Sequence, residues 1–477
     1  MTGAELCEDI RDPVLSLASA RCLGLLVGAG ASIGAGLPGW DQLSGRLLVG
    51  SGAISSANAA QQFLARQDPA LAAEAAKSAA GASWASLVRE ALYQGQKPTP
   101  AALHRAVAAL ARRFLAIERE IGIFTLNFDL LLEEALVHEA PGGAAFIRTS
   151  DVPRADKGDV EVHHLHGAIS PEEEDLGSFV LTLSDFTSLG QEPAPWQRSA
   201  IQDYLQRGPL VLVGTTYRDS DVRQWLHDLK KPDGNDVFIL LSRAALGVSR
   251  SEFQIVQDAL AEQWRAIGVS VLVTHDHADA AQVLREVQYL SGHPAESYAV
   301  PQERARRFFS QHSENFDEIQ REYSAQLAID LERLRQLMGP GVNLTLWLAD
   351  GVGSLVRWVS HDRIFTRSDD LLTIDAGWDS DWIAGEAAAS DELIVRVVDE
   401  PGRHRWRSVV AAPLSVDVPD GPPFTAAVLS SATPRDLEAL APADLDEWRT
   451  VVQSIAAEWE ARLAEKAQGP SPWDELE

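Results

Sequence analysis

The order of apolar and polar positions changes character along the chain. Through residues 1–300, short apolar runs alternate with longer amphipathic or Ala-rich stretches. CLGLLV at 22–27 runs straight into glycines, and IGIFT at 121–125 stops before a polar pair. GPLVLV ends at Val213 before Gly214, and DVFILL at 236–241 and SVLVT at 270–274 complete five candidate strands. None alternates strictly, which is the pattern of parallel strands covered on both faces. Helical candidates lie between them at 55–93, 103–118, 200–207, 219–230 and 252–266. Strand–helix repetition predicts an α/β fold with a doubly wound parallel sheet. The Ala-rich stretch 55–93 reads as a helical insertion beside it.

A stretch rich in Pro, Gly and Ser near 290–301 closes this first domain, taken as 1–300. A charge-rich helical connector follows at 301–340 and is broken by Met338-Gly339-Pro340-Gly341. Residues 341–466 have a different texture. NLTLWLA at 343–349, SLVRWV at 354–359, SVVAAPL at 408–414 and FTAAVL at 424–429 read as strands, with Asp420-Gly421 as a turn. A closing amphipathic helix at 444–466 carries Trp448, Val452, Ile455 and Trp459 at helical spacing. This is an α+β module on an antiparallel sheet, followed by a flexible tail at 467–477.

Composition narrows the function classes. The 477 residues suffice for two or three domains, and 45% hydrophobic with 23% charged residues fits a globular protein. Acidic residues number 69 against 41 basic, a net charge of −28, and no Lys/Arg-rich run interrupts that balance, so direct nucleic-acid binding is not expected. Cys7 and Cys22 are the only cysteines, too few for a four-cysteine zinc site or a disulfide framework. A reduced cytoplasmic setting is the expectation. MTGAELCEDIRDP does not read as a signal peptide, the apolar runs are shorter than a membrane span, and no membrane association is expected.

Candidate chemistry begins after the first strand. Gly28-Ala29-Gly30-Ala31-Ser32-Ile33-Gly34-Ala35-Gly36-Leu37-Pro38-Gly39-Trp40 offers small residues and free N–H groups where a pyrophosphate can approach the backbone. Thr125-Leu126-Asn127-Phe128-Asp129 follows the second candidate strand, Leu165-His166-Gly167 comes later, and Gly214-Thr215-Thr216 follows Val213. Together, and in this order, these segments resemble the sirtuin (SIR2-like) family: its opening cofactor loop, its T-x-N-x-D segment, its L-H-G segment and, more loosely, its late G-T-S element. The resemblance spans about 7–278. At Arg218-Asp219-Ser220-Asp221 the chain departs from classical protein deacylases and looks more like diverged bacterial SIR2-like domains of anti-phage effectors.

The resemblance implies a Rossmann-like domain that takes NAD+ as substrate. It implies cofactor contacts at Gly28, Ala29, Gly30, Ser32, Leu37, Pro38, Trp40, Thr125, Asp129, Gly214, Thr215, Thr216 and Asp219, and catalysis by Asn127 and His166. Cleaving the nicotinamide bond leaves an oxocarbenium-like ribose carbon. A carboxamide can orient the ribose or a water there, and an imidazole can accept a proton. Without the zinc module of classical deacylases, water is the simplest acceptor, which gives ADP-ribose and nicotinamide, and no metal is expected.

Other readings stay open. Asn127 can cap a helix starting near Asp129, and Asp219 and Asp221 can cap the next one. His163 and His164 read as surface or supporting residues rather than metal ligands. A binding-only NAD or ADP-ribose sensor and a protein ADP-ribosyltransferase are the alternatives to hydrolysis, although the pairing of Asn127 with His166 favours an enzyme. In the C-terminal half, WIAGEA at 382–387, the S-x-x-x-x-P-L strand at 408–414 and the following hairpin and helix resemble GAF-type sensor domains over about 331–463. That implies a regulatory or oligomerisation module with a small-molecule or protein trigger. Trp347, Trp358, Trp378, Trp382 and Trp406 either fill its core or line a pocket. Arg396, Arg403, Arg405 and Arg407 either bind an anion or are neutralised by acidic neighbours.

Overall fold

The computed structural model describes residues 3–139, 144–151, 159–172, 178–215, 220–229, 234–398, 406–436 and 442–468. The chain divides into two compact units, one from Ser16 to Val273 and one joining Met1–Leu15 to Thr274–Glu477.

The first unit is built on a seven-stranded sheet. Its strands are β1 (Cys22–Val27), β2 (Glu120–Thr125), β3 (Ala145–Arg148), β4 (Val160–His164), β5 (Leu210–Val213), β6 (Val237–Ser242) and β7 (Ser270–Thr274), in the order β3-β4-β2-β1-β5-β6-β7. The pairings β1–β2, β1–β5, β2–β4, β3–β4 and β5–β6 are all parallel. β3 and β4 go beyond the five strands expected. Their sequences AFIR and VEVHH are short and carry charged or titratable groups, so no apolar run announces them. The order turns at β1, which has β2 on one side and β5 on the other; ligands of open α/β sheets bind at such a switch point, beyond the carboxyl ends of the strands. Register aligns those ends: Val27 pairs with Thr125 and with Val213, and Thr125 pairs with His164.

The stretch 55–93 is helical, as three helices, Ala57–Leu64, Pro69–Ala80 and Trp84–Tyr93, preceded by Trp40–Gly50. Ser56 and Asp68 cap the first two, accepting the N–H groups of Ala59 and Ala70, with Pro69 at the first helical position. Their small residues Ala72, Ala73 and Ala76 pack with Leu43, Leu47 and Val88. The same core takes in Phe128, Leu131, Ile169 and Leu181, so the insertion covers the segments that follow β2 and β4.

The second unit holds a six-stranded sheet of β8 (Asn343–Ala349), β9 (Ser354–Ser360), β10 (Thr373–Asp375), β11 (Ile394–Val397), β12 (Ser408–Val416) and β13 (Phe424–Thr433), in the order β10-β9-β8-β13-β12-β11. Every neighbouring pair is antiparallel. The connector is two helices, Pro301–Glu314 and Phe316–Met338, and the closing helix is Pro442–Ala467, with Trp448, Val452, Ile455 and Trp459 buried as its spacing predicts. Trp347 and Trp358 fill the core, whereas Trp382 is half exposed. Arg396 pairs with Glu386 and Arg407 with Asp436, so acidic neighbours answer both; Arg403 and Arg405 lie outside the described residues. Among the described residues no helix is long and apolar enough to cross a membrane.

Candidate functional site

The aligned strand ends bring four loops to one edge. The loop after β1 lies against the loop after β5: Gly28 N–H donates to Val213 O at 2.9 Å and Gly30 N–H to Gly214 O at 2.7 Å. A Cβ on Gly28 would stand 2.6 Å from Gly214 O, and one on Gly30 2.8 Å from it. These glycines are therefore required by backbone packing, whatever else the loop binds. Gly214 has φ +64°, a left-handed conformation suited to glycine. Ala29 and Gly30 are half-buried. Leu37 N–H turns back to Ser32 O at 3.1 Å, Leu37 and Pro38 are buried, and Trp40 opens the helix Trp40–Gly50.

Asn127 sits two residues beyond β2, 6% exposed, with nearly every polar group held. Its N–H donates to Thr125 Oγ1 at 3.0 Å, and its amide nitrogen donates to Gly28 O at 3.2 Å and Ser32 Oγ at 3.0 Å. Gly28 O only accepts, which fixes the amide orientation. Asn127 Oδ1 is left buried with no hydrogen-bond partner among the described residues. Ser32 Oγ–H donates to Asp129 Oδ2 at 2.8 Å and lies 3.2 Å from His104 Nε2. His104 Nδ1 accepts from Ala101 N–H at 3.1 Å, so the neutral ring carries its proton on Nε2 and points it at Ser32. Burial lowers the His104 pKa and keeps the ring neutral. Asp129 Oδ1 accepts the Leu131 N–H at 3.2 Å: Asp129, rather than Asn127, caps the helix Leu131–Glu139.

The histidines of β4 are not at the surface. His163 is 3% exposed and His164 0% exposed, and alternation along the strand sends them to opposite faces. His163 packs against Phe124 and Tyr204, and burial pushes its pKa down to about 4. His164 places Nδ1 2.9 Å from Asn127 O and Nε2 2.7 Å from Glu133 Oε1. Burial is the largest single influence and opposes its charge, but Glu133, the Asn127 carbonyl and Asp129 together outweigh it and raise the pKa. His166 is 4% exposed and lies two residues beyond β4, as Asn127 lies beyond β2. Its ring meets Phe186 edge-on at 5.3 Å, and Phe186 meets Trp40 edge-on at 6.5 Å. Gly167, at φ +94°, lets this turn pass Ser178 O, which a Cβ would approach to 2.6 Å.

Gly28, Ser32, Thr125, Asn127, Asp129 and Gly214 thus form one interlocked group. Thr215 is buried beside it, and His166 and Trp40 are linked through Phe186. Thr216 and Asp219 lie outside the described residues, as does the side chain of Asp221. Sequence reasoning missed His104, Glu133 and Phe186. Glu133 had a faint signal, an acidic residue amid Leu131, Leu132, Ala135 and Leu136; the other two had none. Among the described residues no group of three His, Cys, Asp or Glu side chains is placed to hold a metal. The arrangement offers a fixed acceptor, Asn127 Oδ1, and a titratable ring, His166, at the ends of neighbouring strands.

Residues 121–272 match the family described as "SIR2-like domain", so the chain carries a domain of that kind. The match takes in Asn127, His166 and Gly214 and begins after the glycine-rich loop. No curated protein matches the chain. A solved structure described as a crystal structure of a SIR2 homolog–NAD complex is 14% identical, over 58% of this chain and 91% of that one, with a TM-score of 0.35.

Proposed function

We propose that the chain is an NAD+ glycohydrolase that releases nicotinamide and ADP-ribose. The SIR2-like domain supports a general NAD-binding or hydrolase-like role. The observation that carries the finer reading is the Asn127 carboxamide. Both of its N–H groups are spent on Gly28 and Ser32, and the buried Oδ1 is free to accept one O–H. An acceptor of that kind orients a water or a ribose hydroxyl at the anomeric carbon. The C1′–N bond breaks with its electron pair going to nicotinamide, water oxygen bonds C1′, and His166 accepts the proton released. Gly28, Ala29, Gly30, Ser32, Leu37, Pro38, Trp40, Thr125, Asp129, Gly214 and Thr215 would form the dinucleotide cradle, extended by Thr216 and Asp219.

In this reading the protein is a cytoplasmic effector of bacterial anti-phage defence that acts by depleting NAD. Its C-terminal antiparallel unit is a GAF-like regulatory or oligomerisation module that answers a small-molecule or protein trigger. Time-resolved mass spectrometry of NAD+ with the wild type, Asn127→Ala and His166→Ala, with and without infected-cell extract, tests it. The expected result is equal release of nicotinamide and ADP-ribose, reduced roughly 100-fold or more by either substitution. NAD that stays intact with bound protein and active extract would leave a sensor, and a modified protein product would mean transfer.

A further inference from the structure

A buried pair, His164 and Glu133, sits directly behind Asn127 and takes no part in the chemistry above. His164 ends β4 and touches two acceptors, the Asn127 carbonyl at 2.9 Å through Nδ1 and the Glu133 carboxyl at 2.7 Å through Nε2. A neutral imidazole has one N–H and satisfies only one of them unless Glu133 is itself protonated. Glu133 lies in the first turn of the helix Leu131–Glu139, where the N-terminal end of the helix dipole favours a carboxylate. Two ring N–H groups facing a carboxylate and a carbonyl satisfy both acceptors at once.

We propose that His164, as an imidazolium held by Glu133, is the positioning residue of this site, gripping the Asn127 carbonyl and thereby fixing where the Asn127 carboxamide presents Oδ1. This deepens the reading of Asn127 as the reacting carboxamide and rests on it. The N–H groups of Asn127 are already held, the backbone N–H by Thr125 Oγ1 and the amide nitrogen by Gly28 and Ser32. His164 supplies the remaining restraint, on the carbonyl. The charged and titratable groups around the ring are Glu133 on its helix, Asp129 in the turn after β2 and His163 beside it on β4. Tyr93, on the helix Trp84–Tyr93, feels both Asp129 and Glu133. Asp129 and Glu133 stabilise the imidazolium, and the neutral His163 does not oppose it.

Two measurements on the full chain test the proposal. Nitrogen-15 NMR of the histidine rings in the wild type is expected to find two protonated ring nitrogens at His164 at pH 7. A ring with a single proton overturns the ionised pair and needs no variant to show it. The second is a double-mutant cycle in which NAD+ cleavage is followed for Glu133→Gln and His164→Gln, each alone and combined with Asn127→Ala. Each single change is expected to lower kcat about tenfold with KM little altered, and to have no further effect once Asn127 is Ala. The same fall in the Asn127→Ala background, or an unchanged kcat for His164→Gln, overturns positioning through Asn127. Wild-type protein that leaves NAD+ intact defeats the hydrolase reading instead. The cycle is then read on NAD+ affinity by calorimetry, where the same non-additivity is expected and additive effects overturn the pair's role.

Discussion

Both units bury charge, but to different ends. In the parallel-sheet unit, the buried polar groups Ser32, His104, Asn127, Asp129, Glu133 and His164 interlock at the carboxyl ends of β1, β2 and β4, and the group leaves two acceptors, Asn127 Oδ1 and Glu133 Oε2, without a hydrogen-bond partner among the described residues. In the antiparallel-sheet unit, the buried groups stitch elements together. Arg304, 1% exposed, donates to Glu286 at 2.6 Å and to Pro422 O, and packs over Phe424. Asp330 accepts from Trp459 Nε1 at 2.9 Å, and His312 Nε2 lies 3.0 Å from the Tyr323 hydroxyl. Both units leave buried atoms without a partner among the described residues, Glu286 Oε2 and Arg304 Nε in the second unit, so the difference lies in placement: the first cluster gathers where the strand order turns at β1. A polar pair that bridges helices and strands is organised to hold them.

The sharpest way to break this contrast is Arg304→Ala. It leaves Glu286 buried without its cation and is expected to cost about 3–5 kcal/mol in denaturant unfolding, while NAD+ turnover per folded molecule is unchanged. Restored stability on replacing both partners with apolar residues would identify the loss as that of a stranded charge. Asn127→Ala is expected to do the reverse, with turnover lost and a smaller stability loss of about 1–3 kcal/mol from its two buried amide hydrogen bonds.

Next in size is the response to pH. Burial lowers His163 and His312 to about 4, below the ordinary histidine value of about 6.5. Their contribution is fully present above about pH 6.5 and lost as pH falls toward 4, at about 1 kcal/mol per pH unit for each group. His164 has the opposite sign: its raised pKa gives a contribution present below about 6.5 and lost as pH rises through the folded value. Calorimetric melts across pH 4–9 are expected to show an acid loss that His312→Gln reduces and an alkaline loss that His164→Gln removes. An acid limb untouched by His312→Gln would contradict the first assignment.

Gly30→Ala follows, since its Cβ would stand 2.8 Å from Gly214 O and 3.0 Å from Gly214 Cα. The loops must part, at about 1–3 kcal/mol in chemical unfolding, and turnover should fall with them. The smallest effect is expected at Asp68→Ala, which removes the cap on Ala70 N–H and costs about 1 kcal/mol of thermal stability with the site intact.

Much of this molecule was legible in the sequence because its signals are local. CLGLLV, IGIFT and DVFILL fall on strands, Trp448 and Trp459 face inward at helical spacing, and residues 121–272 belong to a SIR2-like domain. β3 and β4 were not legible. AFIR and VEVHH become strands through pairing with one another and with β2, and pairing between distant segments leaves little trace in either alone. The helical insertion divides into three helices, because Asp68-Pro69 and Gly81 punctuate an otherwise uniform Ala-rich pattern.

The sequence by itself determined the alternation of strands and helices, the small residues after β1 and the presence of Asn127 and His166, since these depend on residue type and near neighbours. Only the tertiary structure decided what Asn127 can do. Its amide is spent on Gly28 and Ser32, 99 and 95 residues away in sequence, and its carbonyl is met by His164, 37 residues on. Of the two readings open for His163 and His164, surface or supporting residues, it decided for buried groups, and it gave the two opposite electrostatic character. A hydrogen bond depends on direction and a pKa on the charges within a few ångströms, and both are set by which distant segments the fold brings together.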